Sequence, residues 1–404
     1  MRLEHWSCGE QHTMTSSHIP GGTSTGSKRP AAFLGTMDPG PFPGKMVKAQ
    51  GARVWDTKGK DYLDYVMGLG AVTLGYAHPE VVRAAQAAVA DGAVGPVAPA
   101  EEDELAAVLV ESVPWIEQVR FLKTGAEAVA AAVRIARVVT SRERVVTCGY
   151  HGWLDWCQTE PGVPKAVTAL NTSIPFNDKE AARRAIRQGK PPAAVVVEPV
   201  IDGPPDPGWL ALLRKECSAT GTVLVFDEIK TAFRLAIGGA AEQFGVTPDL
   251  VVLGKGLANG FPLAVVGGRQ SVMEALNRTW ISSTLATENV SLHAALATIT
   301  VSRRDDAPGH LARVGTRLFE GLTAVCAPYQ SLGAEVRGIP QMCYLTFGNA
   351  GTGWQLAQSM AGRGVIWKPT AYNFVSLAHT EDDVDSALTL LDETLSDINR
   401  LGRG

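Results

Sequence analysis

The chain is short of everything that would commit it to a membrane, a secretory route or a nucleic acid. No apolar run approaches the roughly 18 residues that a bilayer-spanning helix needs. The first thirty residues are polar, carry three histidines and contain no apolar segment, so no secretory signal is expected there. Basic residues run no longer than a pair, apart from short clusters such as Arg142-Glu143-Arg144, and the net charge is −4. A nucleic-acid partner would need a basic face to meet its phosphates, so none is expected. The six cysteines (8, 148, 157, 217, 326 and 343) are scattered, with no C-x-x-C pair. They read as free thiols in a reducing, cytoplasmic compartment.

Several catalytic signatures are missing too. There is no Walker A sequence, and the histidines show no metal spacing such as H-x-x-x-H. Gly254, Gly256 and Gly260 give G-x-G-x-x-x-G, which is not a dinucleotide fingerprint and follows the last strand of its series instead of the first.

What is present suits a large globular core: 404 residues, 45% hydrophobic and 19% charged. That length suggests roughly two to three domains. Residues 1–45 begin as a flexible arm, with Gly, Ser and Thr too dense over 19–27 to bury a core. Residues 46–78 form an N-terminal hairpin segment of a small domain, turning at Asp56-Thr57-Lys58-Gly59-Lys60. Over 79–295 helix-like and strand-like segments alternate in units of ~30 residues, the mark of a mostly parallel sheet with crossover helices. Its apolar runs are continuous, as strands buried on both faces require. Residues 296–404 read as an α+β C-terminal small domain, whose last helix follows the capping-box spacing of Thr380-Glu381-Asp382-Asp383.

Three strands of the large domain end on ionisable residues. Ala193-Ala194-Val195-Val196-Val197 leads to Glu198. Thr222-Val223-Leu224-Val225-Phe226 leads to Asp227, 29 residues on, and Leu250-Val251-Val252-Leu253 leads through Gly254 to Lys255, 28 residues further. Ligands of open α/β sheets bind beyond the carboxyl ends of strands, so the three side chains are expected at one crevice. A lysine shielded from water there can act as a nucleophile toward carbonyls. Alone, Asp227-Glu228 is equally well a charged turn. Beside Lys255 it gains a task, because a pyridoxal ring needs a lysine for its aldehyde and a carboxylate for its pyridinium nitrogen. The phosphate of pyridoxal phosphate needs a helix N-terminus. Thr124, Gly125 and Ala126 supply one ahead of an alanine-rich helix, although an ordinary N-cap by Thr124 explains the same residues. Tyr150 and His151, between Gly149 and Gly152, put an aromatic where it could stack on a flat ring.

In these stretches the chain resembles the class III, fold type I pyridoxal-phosphate aminotransferases, and within them the glutamate-1-semialdehyde aminomutase branch. The likeness runs from Ile19-Pro20-Gly21-Gly22 through Val54-Trp55-Asp56, Gly75-Tyr76-Ala77-His78-Pro79 and Thr124-Gly125-Ala126-Glu127-Ala128. It continues through Gly149-Tyr150-His151-Gly152, Glu198-Pro199-Val200, Phe226-Asp227-Glu228 and Gly254-Lys255-Gly256 to Phe374-Val375-Ser376-Leu377-Ala378-His379-Thr380. The resemblance implies Lys255 as the cofactor lysine and Asp227 as partner of the ring nitrogen. It implies Tyr150 and Ile229 on the two ring faces, with His151 among the cofactor contacts. Thr124, Gly125 and Ala126 would hold the phosphate, and Glu198 would lie near the phenolic oxygen. Thr284 resembles the threonine that reaches the neighbouring subunit's phosphate, which implies a homodimer with shared active sites.

Departures from the branch concern the substrate. Ala126 lacks the hydroxyl usual at the phosphate turn, and Ala371 stands where the aminomutases carry a glutamate. The loop after Val200 is shortened, and the carboxylate-binding arginine expected after Pro-Gly-Gly has its nearest counterpart in Lys28 or Arg29. Arg29 and Trp153 are the expected substrate contacts. These changes point away from intramolecular amine migration. They point toward amino transfer between a donor amine and a carbonyl acceptor by ping-pong chemistry, with an amino sugar or aminocyclitol of secondary metabolism, such as antibiotic biosynthesis, as one acceptor class. An aminomutase or epimerase using the same cofactor is the alternative. A catalytically idle binding protein on this fold has no basic surface or appended segment in its favour.

Overall fold

A computed structural model describes residues 18–36, 38, 40–369 and 371–401 of the 404-residue chain. The first part of the expected arm, residues 1–17, lies outside the described residues. Its later part includes a short helix, Ala31–Leu34, whose Phe33 and Leu34 are buried beside Val54, Tyr62 and Ile366.

The hairpin forms as spaced. β1 (Met46–Gln50) pairs antiparallel with β2 (Arg53–Asp56), and β2 with β3 (Asp61–Asp64). The large domain holds β4 (Gln118–Leu122), β5 (Val145–Cys148), β6 (Asn171–Ser173), β7 (Ala194–Val197), β8 (Val223–Asp227), β9 (Leu250–Leu253) and β10 (Ala264–Gly268). Their order across the sheet is β4-β10-β9-β8-β7-β5-β6. The sheet is parallel from β9 to β6, whereas β10 pairs antiparallel with both β9 and β4. The antiparallel edge escaped the periodicity argument, because β10 follows β9 through a turn too short for a crossover helix. Strands β5, β7, β8 and β9 are buried along their whole length.

The alanine-rich helix Gly125–Thr140 lies on this sheet. Its buried face, which includes Ala128, Ala131, Ala132 and Ala136, lets the backbone approach closely. In the C-terminal region β11 (Glu335–Ile339), β12 (Met342–Thr346) and β14 (Asn373–Phe374) form an antiparallel sheet. β13 (Val365–Ile366) instead adds to the hairpin, parallel to β3. One apolar cluster unites Leu63 and Tyr65 with Leu311, Leu345, Trp367 and Leu391, so the hairpin segment and the C-terminal segment share a core. Among the described residues no helix is long and apolar enough to cross a membrane.

Candidate active site

Connection order in the parallel part of the sheet reverses between β5 and β7, the position at which open α/β sheets bind ligands. The loops around that reversal carry most of the expected site. Gly149-Tyr150-His151-Gly152 follows β5, Glu198 follows β7, Asp227 closes β8, and Lys255 comes two residues after β9.

These residues are in contact. Glu198 Oε2 accepts the Tyr150 backbone N–H at 2.8 Å. A Cβ at Gly149 (φ +109°) would come within 2.6 Å of that carboxylate oxygen, so only glycine fits the turn. His151 Nδ1 lies 2.8 Å from Asp227 Oδ2, and Asp227 Oδ1 accepts the Ile229 N–H at 3.3 Å. His151 Nε2 is buried with no partner among the described residues. Asp227 and Glu228 divide the two readings weighed for them. Asp227 faces the site, while Glu228 is fully buried and accepts the N–H groups of Ala240 and Ala241 at 2.8 and 2.7 Å and the Thr231 hydroxyl. Burial pushes the Glu228 pKa up to about 7, against the pull of those hydrogen bonds.

Lys255 opens a four-residue 3-10 turn, Lys255–Ala258, and has φ +45°, a conformation that costs a non-glycine residue about 1 kcal/mol or more. The turn is held from the N-terminal segment. Asn259 accepts the Leu74 N–H and donates to the Gly75 carbonyl, both at 2.9 Å. Thr73 packs so closely that a Cβ on Gly256 would lie 2.9 Å from its methyl. Lys255 is half-buried. Burial pushes its pKa down to about 8, the nearby Lys230 adds to the shift, and Glu198 and Asp227 oppose it. A weakly basic amine at a strand end is suited to carbonyl chemistry.

At the start of Gly125–Thr140, Thr124 accepts the Glu127 N–H at 3.3 Å, while Glu127 Oε2 accepts the Thr124 N–H at 2.9 Å. The capping role of Thr124 is thus realised. Gly125 and Ala126 keep backbone N–H groups without partners among the described residues, at the positive end of a 16-residue helix. Ile229 packs directly on Gly125, and a Cβ at Gly152 would lie 2.6 Å from that of Ala126. The helix start, the Tyr150 loop and Ile229 therefore lie against one another, and Tyr150 is 65% exposed.

Three expected residues stand apart from these contacts. Arg29 is exposed, its guanidinium against Gly21. Trp153 is 75% exposed, and Thr284 is exposed beside exposed Leu285. Conversely, Lys230 escaped the sequence reading. Its Nζ lies 2.8 Å from Glu198 Oε1, with the side chain only 14% exposed, and 4.6 Å from the centre of the Tyr372 ring. A lysine three positions past Asp227, in a turn that leads into buried Thr231 to Phe233, was the available signal. Arg234 was also missed. It is fully buried and donates to the carbonyls of Gly70 and Val375, both at 3.0 Å, and of Gln341 at 3.4 Å.

A half-buried, weakly basic lysine, a buried carboxylate and a helix N-terminus with free N–H groups, gathered near the sheet's reversal point, are the groups that a fold type I pyridoxal-phosphate enzyme requires. The class III aminotransferase family matches residues 37–395, and the chain belongs to it. Over 392 residues the chain is 35% identical to the glutamate-1-semialdehyde 2,1-aminomutase of Thermomicrobium roseum, covering 88% of this chain and 91% of that one. In structure it is similar to a transaminase with PLP bound, at 26% identity and a TM-score of 0.85, over 89% of this chain and 92% of the other. It is also similar to an omega-transaminase from Sphaerobacter thermophilus, at 26% identity and a TM-score of 0.81, over 93% and 98% of the two chains.

Proposed function

We propose that this chain transfers an amino group between an amino-acid donor and a carbonyl acceptor, with Lys255 as the residue that holds the cofactor. The observation that carries this reading is the placement of Glu198, Asp227 and Lys255 at the same ends of three adjacent parallel strands. Bound pyridoxal phosphate would supply an aldehyde for the lysine and a ring that accepts electrons from the donor carbon. Asp227, oriented by His151, would keep the ring nitrogen protonated. Tyr150 and Ile229 would bracket the ring, and the free N–H groups of Gly125 and Ala126 would take the phosphate. Once displaced by the donor, Lys255 Nζ would hold the proton taken from the donor carbon and deliver it to the carbon that had carried the cofactor's aldehyde. The acceptor would run the same steps backward, with ping-pong kinetics.

Stopped-flow mixing of holoenzyme with single amine donors tests this. A donor alone should consume the visible cofactor band and release one carbonyl product per site. Intersecting double-reciprocal plots with no isolated half-reaction would sink the assignment. The likeness to an aminomutase favours a second reading, isomerisation without an external acceptor. Turnover of one labelled amine to an isomer, with no keto acid added, would select it. Ala371 in place of the expected glutamate supports transfer, and an amino sugar or aminocyclitol is one acceptor class it suits.

The exposed Tyr150, Trp153, Trp280 and Leu285 support a homodimer in which the partner's Thr284 completes the phosphate seat. Mixing inactive Lys255→Ala subunits with inactive Thr284→Ala subunits should restore part of the activity if sites are shared.

A further inference from the structure

We infer that Lys230 is the specificity-determining residue of this cleft, bridging the carboxylate of the amine donor to Glu198. The inference rests on the aminotransferase reading above.

Lys230 lies one residue beyond Ile229 and three beyond Asp227, on the same rim as the residues assigned to the cofactor. Its ammonium has three donor positions. One is directed to Glu198 Oε1 at 2.8 Å, and a face of the ammonium rests over Tyr372, 4.6 Å from the ring centre. Glu198 is itself held from the other side, where Oε2 accepts the Tyr150 N–H. The pair is therefore anchored at the acid, and the lysine retains donor capacity for a second oxygen anion. Burial works against the charge of Lys230, but Glu198 and Tyr372 hold its pKa above the ordinary lysine value, so the ammonium persists through neutral pH.

Two other cations, the buried Arg234 and Lys368, are committed elsewhere. Arg234 spends its guanidinium on three backbone carbonyls and on the face of Phe374. Lys368 is buried, donates to the Ser27 carbonyl at 3.1 Å and lies over Phe33. Arg29 is exposed against Gly21. Lys255 is reserved for the cofactor. Lys230 is thus the half-buried cation on the strand-end rim with donor capacity left for a substrate carboxylate, whereas Lys28 and Arg29 are exposed.

The wall behind it is rigid without it. Tyr372 accepts the Asp202 N–H at 2.9 Å, Tyr344 donates to Asp202 Oδ1 at 2.7 Å, and the two tyrosine rings meet edge-on at 5.4 Å. Replacing Lys230 therefore leaves a defined surface.

The test uses holoenzyme of wild type, Lys230→Met and Lys230→Arg. Two readouts are taken: the half-reaction with L-alanine and with isopropylamine, and calorimetric titration with propionate, which carries a carboxylate and no amine. Losing one charge-assisted contact should raise the saturation constant for L-alanine about 10- to 100-fold in Lys230→Met and weaken propionate similarly. Any change in Lys255 basicity falls on both amines alike, so the ratio of the L-alanine to the isopropylamine constant should rise about tenfold or more, and Lys230→Arg should keep the wild-type ratio. Equal losses for both amines, or unchanged propionate binding, would overturn the inference. If wild type consumes neither amine, the two donors are excluded and the aminotransferase reading stands or falls on the wider donor series above, while the propionate titration by itself decides the role of Lys230. Should Lys230→Met not fold, Lys230→Gln carries the same comparison.

Discussion

His151 and Asp227 form a nearly sealed pair: Nδ1 and Oδ2 stand 2.8 Å apart, with the two side chains 1% and 3% exposed. A carboxylate buried this deeply is costly unless bonded, and the imidazole supplies the bond while fixing the direction of the second oxygen. Asp227→Asn keeps the shape and removes the charge that would hold a ring nitrogen protonated. The limiting half-reaction rate should fall by roughly 10²–10³-fold, as for loss of a preorganised electrostatic group. His151→Ala should cost less, because it removes an orienting partner and leaves the carboxyl group in place. Stopped-flow rates for the two variants check the order.

Lys255→Ala should abolish the visible band of bound cofactor together with activity, a change read directly by absorbance.

The lowered Lys255 pKa sets a pH profile. In the apoprotein the amine must be neutral to capture an aldehyde, so the rate of cofactor loading should rise with pH through about 8. The sign for stability follows from the same shift. Between about 8 and the ordinary value of 10.5 the folded chain binds fewer protons at this site than the unfolded chain, so the contribution of Lys255 makes stability rise with pH there. Lys230→Met removes a neighbouring positive charge and should move the loading midpoint upward. A midpoint that stays in place would refute the coupling of the two lysines.

Arg234 joins the large domain to the hairpin segment at Gly70 and to the C-terminal segment at Gln341 and Val375. Among the described residues it has no carboxylate partner, and burial pushes its pKa down to about 9. Arg234→Met leaves three carbonyls without their donor and should destabilise the protein by about 2–4 kcal/mol. Arg234→Lys should rescue little, since one ammonium cannot span the fan of a guanidinium. Thermal scans at a fixed rate measure both.

Gly125→Ala would drive a methyl into Ile229, which packs on that glycine. Cofactor affinity should fall by about 5- to 150-fold, as a shifted packing contact of about 1–3 kcal/mol implies. Equilibrium titration of the apoprotein with pyridoxal phosphate gives the value, and unchanged affinity would remove Ile229 from the cofactor's surroundings.

Much of the site was legible because its residues sit where strands end, and strand ends show in the sequence. Glu198, Asp227 and Lys255 each follow a continuous apolar run, and β7, β8 and β9 form where those runs lie. Thr124 was legible for the same kind of reason, since a cap and an anion seat share one local geometry. The closing Phe374 to Thr380 stretch was legible as a likeness only. In the fold its His379 is buried, accepts the Ser376 N–H at 3.1 Å and packs on the Tyr65 ring, a structural task. Lys230 and Tyr372 were illegible, because 142 positions of chain, 372 − 230, separate two residues that touch.

The sequence by itself determined the cofactor chemistry. Hydrophobic periodicity ends each strand locally, and the ionisable residue at that end needs no long-range information to be recognised. Only the tertiary structure decided what surrounds the lysine: the reversal between β5 and β7, the His151–Asp227 pair, and the Glu198–Lys230–Tyr372 wall. Those contacts join distant segments through packing and desolvation, which depend on the whole folded chain and leave no periodic trace along it.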